Sequence, residues 1–396
     1  MCQTHMTRRD LLQLSALLTL TGAASSLASF EAQAKPSQDA PLQIGYLPIT
    51  DAAPFLIAHH KGFFDAQGIV VEKPRLFRSW AQLVEAFISG QVNLVHLLSP
   101  MTLWARFNSK VPAKIVAWNH VNGSALTVAS DVADLKGLGG GQVAIPFWYS
   151  IHNVILQDLL RSEGLVPVAK RSAPLQSNEV ELVVMPPSDM LAALAAKRIR
   201  GYIVAEPFNA AAELLGVGKV LRFSGDVWRD HACCTVFMHE RDLTGRPDWS
   251  EGVVHAVVRA QQWIQKNRAE TASILSRESG HGYTPHQQKA LDRVLVPDQK
   301  LNAGYISSKA IRNSNWREER LDFQPFPFPS YTETLVQKLR KTTVEGDASF
   351  LNALDPSFAA RDLVDDRFVR KAIESLGGPA RFGIDQTFTR QETIKI

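Results

Sequence analysis

An α/β fold in two lobes, joined by a hinge and enclosing a ligand cleft, follows from three features of the sequence. Short apolar runs alternate with amphipathic stretches on a strand-then-helix period. The series restarts after residue 131, and two extended stretches separate the halves. In the first half, 42–47 has strand character, and Pro54 opens a helix that Lys61-Gly62 ends. A second strand is expected at 68–72 and a helix at 80–88, closed by Ser89-Gly90. A third strand at 92–97 leads through Ser99-Pro100 into a helix ending near Phe107, and 114–118 adds a further strand. Alternation on this short period predicts parallel sheet with helices on its faces.

The second half repeats the scheme: strand 142–145, helix 150–161, strand 181–184, helix 189–197, strand 201–205 and helix 207–215. Beyond His239 the chain turns helical, with Val253, Val254, Val257, Val258, Ala260 and Ile264 at helical spacing. The expected division is residues 1–34 as a cleavable leader, 35–41 as linker, 42–126 as the first part of lobe 1, and 127–234 as lobe 2. Residues 235–396 are expected to return to lobe 1 with a helical extension. Crossings between lobes are expected at 124–130 and 231–239, and two crossings make a hinge. The segment 323–329, where Phe alternates with Pro, is expected to pack as an extended strap on a surface.

Thr7-Arg8-Arg9-Asp10 precedes an apolar run over 11–27 and then Ala32-Gln33-Ala34, the order of an export signal. The paired arginines resemble the twin-arginine address, and the run is too broken by polar residues for a permanent span. A periplasmic location is therefore expected. The net charge of +4 is dispersed among acids, which argues against a nucleic-acid partner. Three cysteines, one of them in the leader, do not make a disulfide scaffold. Gly139-Gly140-Gly141 lacks the Lys-Ser/Thr of a phosphate loop.

Several segments between residues 42 and 239 are similar to the nitrate/sulfonate/bicarbonate-binding family of ABC-importer solute-binding proteins, a group that also holds thiamine-pyrimidine-precursor binding proteins. They are Gly45-Tyr46-Leu47-Pro48-Ile49-Thr50-Asp51-Ala52-Ala53-Pro54, His60-Lys61-Gly62-Phe63-Phe64, Ser79-Trp80-Ala81, Met185-Pro186-Pro187-Ser188-Asp189-Met190 and Ala205-Glu206-Pro207-Phe208-Asn209-Ala210. The likeness lies in their order and spacing. It implies a type II periplasmic binding protein fold that captures a small polar solute and delivers it, as a monomer, to an ABC permease and its ATPase, with no cofactor and no catalysis.

Open parallel sheets bind ligands beyond their strand carboxyl ends, and helix amino termini add free N–H donors. The candidate ligand-binding residues are therefore Thr50, Asp51, Ser79, Trp80, His96 and Ser99 on lobe 1, with Trp148, Tyr149, His152, Glu206 and Cys234 beyond. The resemblance assigns ligand contact to Trp80 and His152. His96 is either a contact or a hydrogen-bonded structural histidine. Trp148 and Tyr149 are either pocket walls or lobe packing. Cys234 stands where nitrate- and bicarbonate-binding relatives carry an anion-neutralising lysine, which leaves a neutral or zwitterionic solute, or an anion paired with Arg78 or Lys110. Cys233 and Cys234 otherwise have the character of small buried residues on the hinge strand. An alternative carried by the same resemblance is a pyrimidine synthase with a Cys/His metal site formed with His152, His96 and His231. A further alternative is an exported ligand sensor.

Overall fold

The computed structural model describes residues 37–169, 174–313 and 320–396. The leader expected at 1–34 lies outside them, as does the start of the linker. In chain order the strands are β1 (Ile44–Tyr46), β2 (Arg75–Leu76), β3 (Leu94–Leu98), β4 (Ala113–Trp118), β5 (Val121–Asn122), β6 (Ser124–Val128), β7 (Gly141–Ile145), β8 (Val166–Val168), β9 (Glu179–Val184), β10 (Gly201–Ala205), β11 (Lys219–Phe223), β12 (Cys234–His239) and β13 (Leu321–Asp322). They form two large sheets, β2-β1-β3-β12-β4 and β11-β6-β10-β7-β9-β8, and a small pair, β13-β5.

Neither large sheet is purely parallel. β1, β2 and β3 run parallel, but β12 pairs antiparallel with both β3 and β4. In the second sheet β7, β8, β9 and β10 run parallel, while β6 is antiparallel to β10 and β11. β6 and β12 are the strands that follow the two crossings, so each enters its new sheet from the hinge side and against the direction of its neighbours. The expected crossing at 124–130 is thus a buried strand of the second sheet, and the chain passes over at 119–123. The return passes at 228–233, and β12 already belongs to the first sheet. The strand expected at 68–72 contributes only a bridge from Val71 to Leu42, and the edge strand is Arg75–Leu76 instead. Within that run Ile69 is buried and Val70 is 68% exposed, so only one face of it meets the core.

β3, β6, β10 and β12 are buried along their whole length, and β3 and β10 are nearly continuous apolar runs without the alternation of a half-exposed strand. Helices Ala53–His60 and Trp80–Ile88 cover the first sheet. The second packs so closely that a Cβ on Gly45 would come 2.7 Å from Leu83 Cδ1.

The two crossings lie side by side. Val121 bridges Ala232, the Asn122 amide donates to the His231 carbonyl (2.9 Å), and the Asp230 amide donates to Asn122 Oδ1 (2.9 Å). β13 adds a third segment by pairing with β5. The carboxy-terminal third therefore does not simply return to lobe 1. Helix Pro247–Lys266 packs on Ala53–His60, but helix Gln288–Leu295 packs on Phe208–Leu214 of the second lobe. The strap at 323–329 packs as expected, with Phe323, Phe326 and Phe328 buried: the Pro325 carbonyl accepts from the Trp118 amide (2.8 Å), and Phe328 meets Trp118 edge to face. No helix among the described residues is long and apolar enough to cross a membrane.

Candidate functional site

The strand ends of the two lobes converge on one buried polar cluster at the hinge. Thr50 and Asp51 form a 3-10 turn after β1, Glu206 follows β10, and Cys234 opens β12. His152 is the second residue of helix Ile151–Ser162, which Ser150 starts by accepting a hydrogen bond from the Asn153 amide (3.1 Å). Ser150 Oγ also donates to the Phe147 carbonyl (2.7 Å), so one hydroxyl sets the turn that presents His152. Ser150→Ala is expected to cost about 1 kcal/mol, the usual worth of an N-cap, read as a lowered urea midpoint.

The lobes meet through Thr50, whose amide donates to the Glu206 carbonyl (3.0 Å), and through Glu206, whose amide donates to the Gly123 carbonyl (2.9 Å). Asp51 Oδ1 accepts from the Cys234 amide (3.0 Å). His120 Nε2 lies 3.2 Å from Thr50 Oγ1 and 3.1 Å from Asp51 Oδ2. Among the described residues that imidazole is the one basic group in contact with Asp51 Oδ2, and His120 Nδ1 has no hydrogen bond. Gly123, at φ +72°, keeps clear of His120 Cε1, which a Cβ would approach to 2.7 Å. On the other side Ser124 Oγ is 2.9 Å from His152 Nε2, and Cys233 Sγ is 3.9 Å from the same nitrogen. His231 Nε2 is 2.8 Å from Ser224 Oγ, which donates to the Ser124 carbonyl.

His96 accepts at Nε2 from the Leu47 amide (2.9 Å), so its proton sits on Nδ1, which has no partner. Trp80 meets His96 edge to face at 5.6 Å, and its Nε1 is buried without a partner as well. Buried polar atoms left unpaired cost free energy, and such groups gathered in one place point to a ligand.

Charge in the cluster is one-sided. Burial works to raise the Asp51 pKa, but the neighbouring imidazoles of His120 and His96 outweigh it and hold the group at about 2, a carboxylate. Burial lowers His96 to about 4 against the pull of Asp51, lowers His231 to about 4, and with His231 nearby lowers His152 to about 3. These imidazoles are neutral at pH 7. Burial raises both thiols, which are free. Glu206 is raised by burial and pulled back by Arg320, whose Nη1 lies 2.8 Å from its Oε1.

Of the sequence candidates, Thr50, Asp51, Trp80, His96, His152, Glu206 and Cys234 gather around this hinge cluster. Ser99 is tied to the second crossing, its amide on the Cys233 carbonyl and its hydroxyl on Tyr331. Ser79 does not join them: it caps helix Trp80–Ile88 by accepting from the Gln82 amide. Tyr149 turns toward the carboxy-terminal segment, donating to the Asp347 carbonyl and packing on Phe350. Trp148 is buried with its Nε1 unpaired. Arg78 and Lys110 are exposed. Sequence reasoning missed His120, Ser124, Ser224 and Arg320. His120 follows β4 directly, and a first crossing placed five residues earlier would have singled it out.

The model of the NMT1-like family matches residues 35–276. The nitrate/nitrite-binding protein NrtA of Nostoc sp. is 28% identical over 257 residues, 59% of this chain and 56% of that protein, so the chain spans about half the length of this relative. The fold superposes on the periplasmic nitrate-binding protein NrtA from Synechocystis with a TM-score of 0.71 at 21% identity, over 89% of this chain and 93% of that one. The ligand-binding component of an ABC-type import system from Staphylococcus aureus gives 0.64 at 22% identity, over 84% and 98%. By its family match, its homology to nitrate-binding proteins and its periplasmic binding protein fold, the chain belongs to the NMT1-like family.

Proposed function

We propose that this chain is the exported solute-binding component of an ABC importer, a binding protein and not an enzyme, which holds a small nitrogen compound between its lobes in the periplasm. Export by the twin-arginine route is part of that reading, as is handing the solute to a permease and its ATPase. The observation that carries it is the set of buried polar atoms at the lobe junction that have no hydrogen-bond partner among the described residues, Trp80 Nε1, His96 Nδ1 and His152 Nδ1, beside the buried carboxylate of Asp51. Groups from both lobes that lack partners in one closed junction favour closure around a molecule supplying those partners.

The charge argues for the class of solute. Asp51 is ionised, the imidazoles of His96, His152 and His231 are neutral, and the guanidinium of Arg320 is taken by Glu206 and Glu213. Cys234 stands at the position where the nitrate-binding relatives, by the resemblance described above, place a lysine. A nitrate ion here would lie near a carboxylate, with the cation named above, Arg320, not free to pair with it among the described residues. A neutral or cationic, planar solute with N–H donors for Asp51 and acceptors for Trp80 and His96 fits better, with the indole as one wall.

A thermal-shift screen of aminopyrimidines, amidines, sulfonates, bicarbonate and nitrate tests this, because a solute that binds only the folded state raises Tm. The expected hits are the donor-rich nitrogen compounds. Trp80→Ala and His152→Ala should each weaken the best hit at least tenfold, about 1.4 kcal/mol. Unchanged affinity in both variants would place the solute elsewhere.

A further inference from the structure

The two cysteines that the solute reading leaves idle stand beside Asp51. The Sγ atoms of Cys233 and Cys234 and a carboxylate oxygen of Asp51 lie within 4.8 Å of one another, all fully buried. His152 Nε2 is 3.9 Å from Cys233 Sγ on the lobe-2 side. Metal–sulfur bonds of about 2.3 Å and metal–nitrogen or metal–oxygen bonds of about 2.0–2.2 Å put tetrahedral ligand atoms roughly 3.3–3.8 Å apart, so a small contraction closes Asp51, Cys233 and Cys234 on an ion, and His152, which lies outside that group of three, reaches it by moving in past Cys233. Asp51 Oδ2 has no hydrogen bond, although it is buried and next to His120.

We propose that Cys233, Cys234, Asp51 and His152 form a site for one thiophilic divalent ion of the zinc or cobalt class. Two thiolates, a carboxylate and an imidazole match such an ion and discriminate against magnesium and calcium, which take oxygen ligands. Asp51 comes from lobe 1, the thiols from the second crossing and His152 from lobe 2, so the bound ion joins the halves and holds them shut. The outer contacts are in place: the Cys234 amide fixes Asp51 Oδ1, and His120 flanks Oδ2. His152 exchanges its contact with Ser124 for the metal bond. The balance is simple: a divalent cation replaces the two thiol protons, giving two thiolates and releasing two protons to solvent, with no change of oxidation state. The ion draws on Asp51 and His152, which the solute reading also uses, so metal alone is the probe and the two are measured separately.

The test is titration of the chelator-treated full chain with Co2+, followed by absorbance and calorimetry. The expected result is one ion per chain with intense thiolate-to-cobalt charge-transfer bands, and about two protons released per ion in buffers of different ionisation heat. Cys233→Ser and Cys234→Ser should each abolish the charge-transfer bands, and His152→Ala should weaken binding at least tenfold. His281→Ala, which removes one of a pair of rings 4.5 Å apart, His60 and His281, should change nothing. Cobalt bound without a thiolate signature, binding that survives both cysteine changes, or binding lost in His281→Ala overturns the proposal. Should the cysteine variants fail to fold, the wild-type spectrum and proton count decide. A solute hit in metal-free protein with no cobalt site, or the reverse, separates this proposal from the solute reading.

Discussion

Metal-free protein is expected to lose stability steeply between pH 6.5 and pH 4.5, well above the range in which its carboxylates titrate. The cause is neutral histidine buried in apolar surroundings. His96 is held down to about 4 chiefly by burial, and Asp51 only partly restores it. Its Nε2 accepts from the Leu47 amide, so adding a proton there would set donor against donor. His239 is likewise lowered to about 4 by burial and the charge of Arg241. It stacks on Phe87 at 3.9 Å and makes a hydrogen bond to the Phe87 carbonyl. A depressed folded pKa means that the unfolded chain binds the proton first, near its ordinary 6.5. The stabilisation is whole above that value and shrinks as pH falls toward the folded pKa. At pH 4.5 each group has lost about 2 units, or about 2.7 kcal/mol, and the pair about 5 kcal/mol as an upper figure. Asp51, at about 2, acts in the same sense only at lower pH. Urea midpoints measured across pH 7 to 4.5 check this, and His239→Gln should flatten the slope by roughly one proton. A profile flat to pH 5 would show that these imidazoles are protonated in the folded state.

How far the sequence foretold this arrangement depends on whether a feature is local. Helix Trp80–Ile88 was legible to the residue because its stop, Ser89-Gly90, is adjacent, whereas Ser79, a ligand candidate by sequence, proves to be its cap. β10 was equally plain, because a strand buried on both faces is a continuous apolar run. The same rule failed at 68–72, where the run is apolar and Ile69 is buried, but only Val71 bridges to the sheet. It failed again at β6, whose Ser-Ala-Leu-Thr-Val was taken for a crossing. What distinguishes a crossing from a strand here is the pairing of Val121 with Ala232, and contacts over a hundred residues apart leave no mark in the local pattern. The site divides in the same way. Thr50, Asp51, Glu206 and Cys234 were legible as candidates because turns after strands are where such folds expose polar groups. His120 and Ser124 were not, because their place follows from where the chain crosses, and Arg320 lay in a region with no recognisable motif.

Arg320 carries the other large effect. Its carbonyl accepts from the Gly123 amide (3.0 Å) at the first crossing, while its side chain reaches into lobe 2, with Nη1 2.8 Å from Glu206 and Nη2 3.1 Å from Glu213. The guanidinium also lies over Phe223 and Tyr305, at 5.0 and 4.7 Å from their ring centres. Glu206 is fully buried, so removing its cation strands a carboxylate that burial already pushes toward protonation. Arg320→Ala is therefore expected to cost about 3–5 kcal/mol, the range for breaking one side of a buried ion pair. Arg320→Lys should recover only part of it, because an ammonium lacks the planar face that lies over Phe223 and Tyr305 and the rigid fork of a guanidinium. The informative variant is Arg320→Met with Glu206→Gln, since exchanging both partners for neutral groups removes the stranded charge. If the double change is more stable than Arg320→Met alone, measured as urea midpoints at pH 7, the loss came from the uncompensated carboxylate. If the two are alike, the arginine acts through its packing on Phe223 and Tyr305. A cost under about 1 kcal/mol for Arg320→Ala would mean that the junction is held elsewhere. The pin matters to function because it fixes the backbone of Glu206, which Thr50 grips from lobe 1, and through Thr50 the turn that holds Asp51 in place.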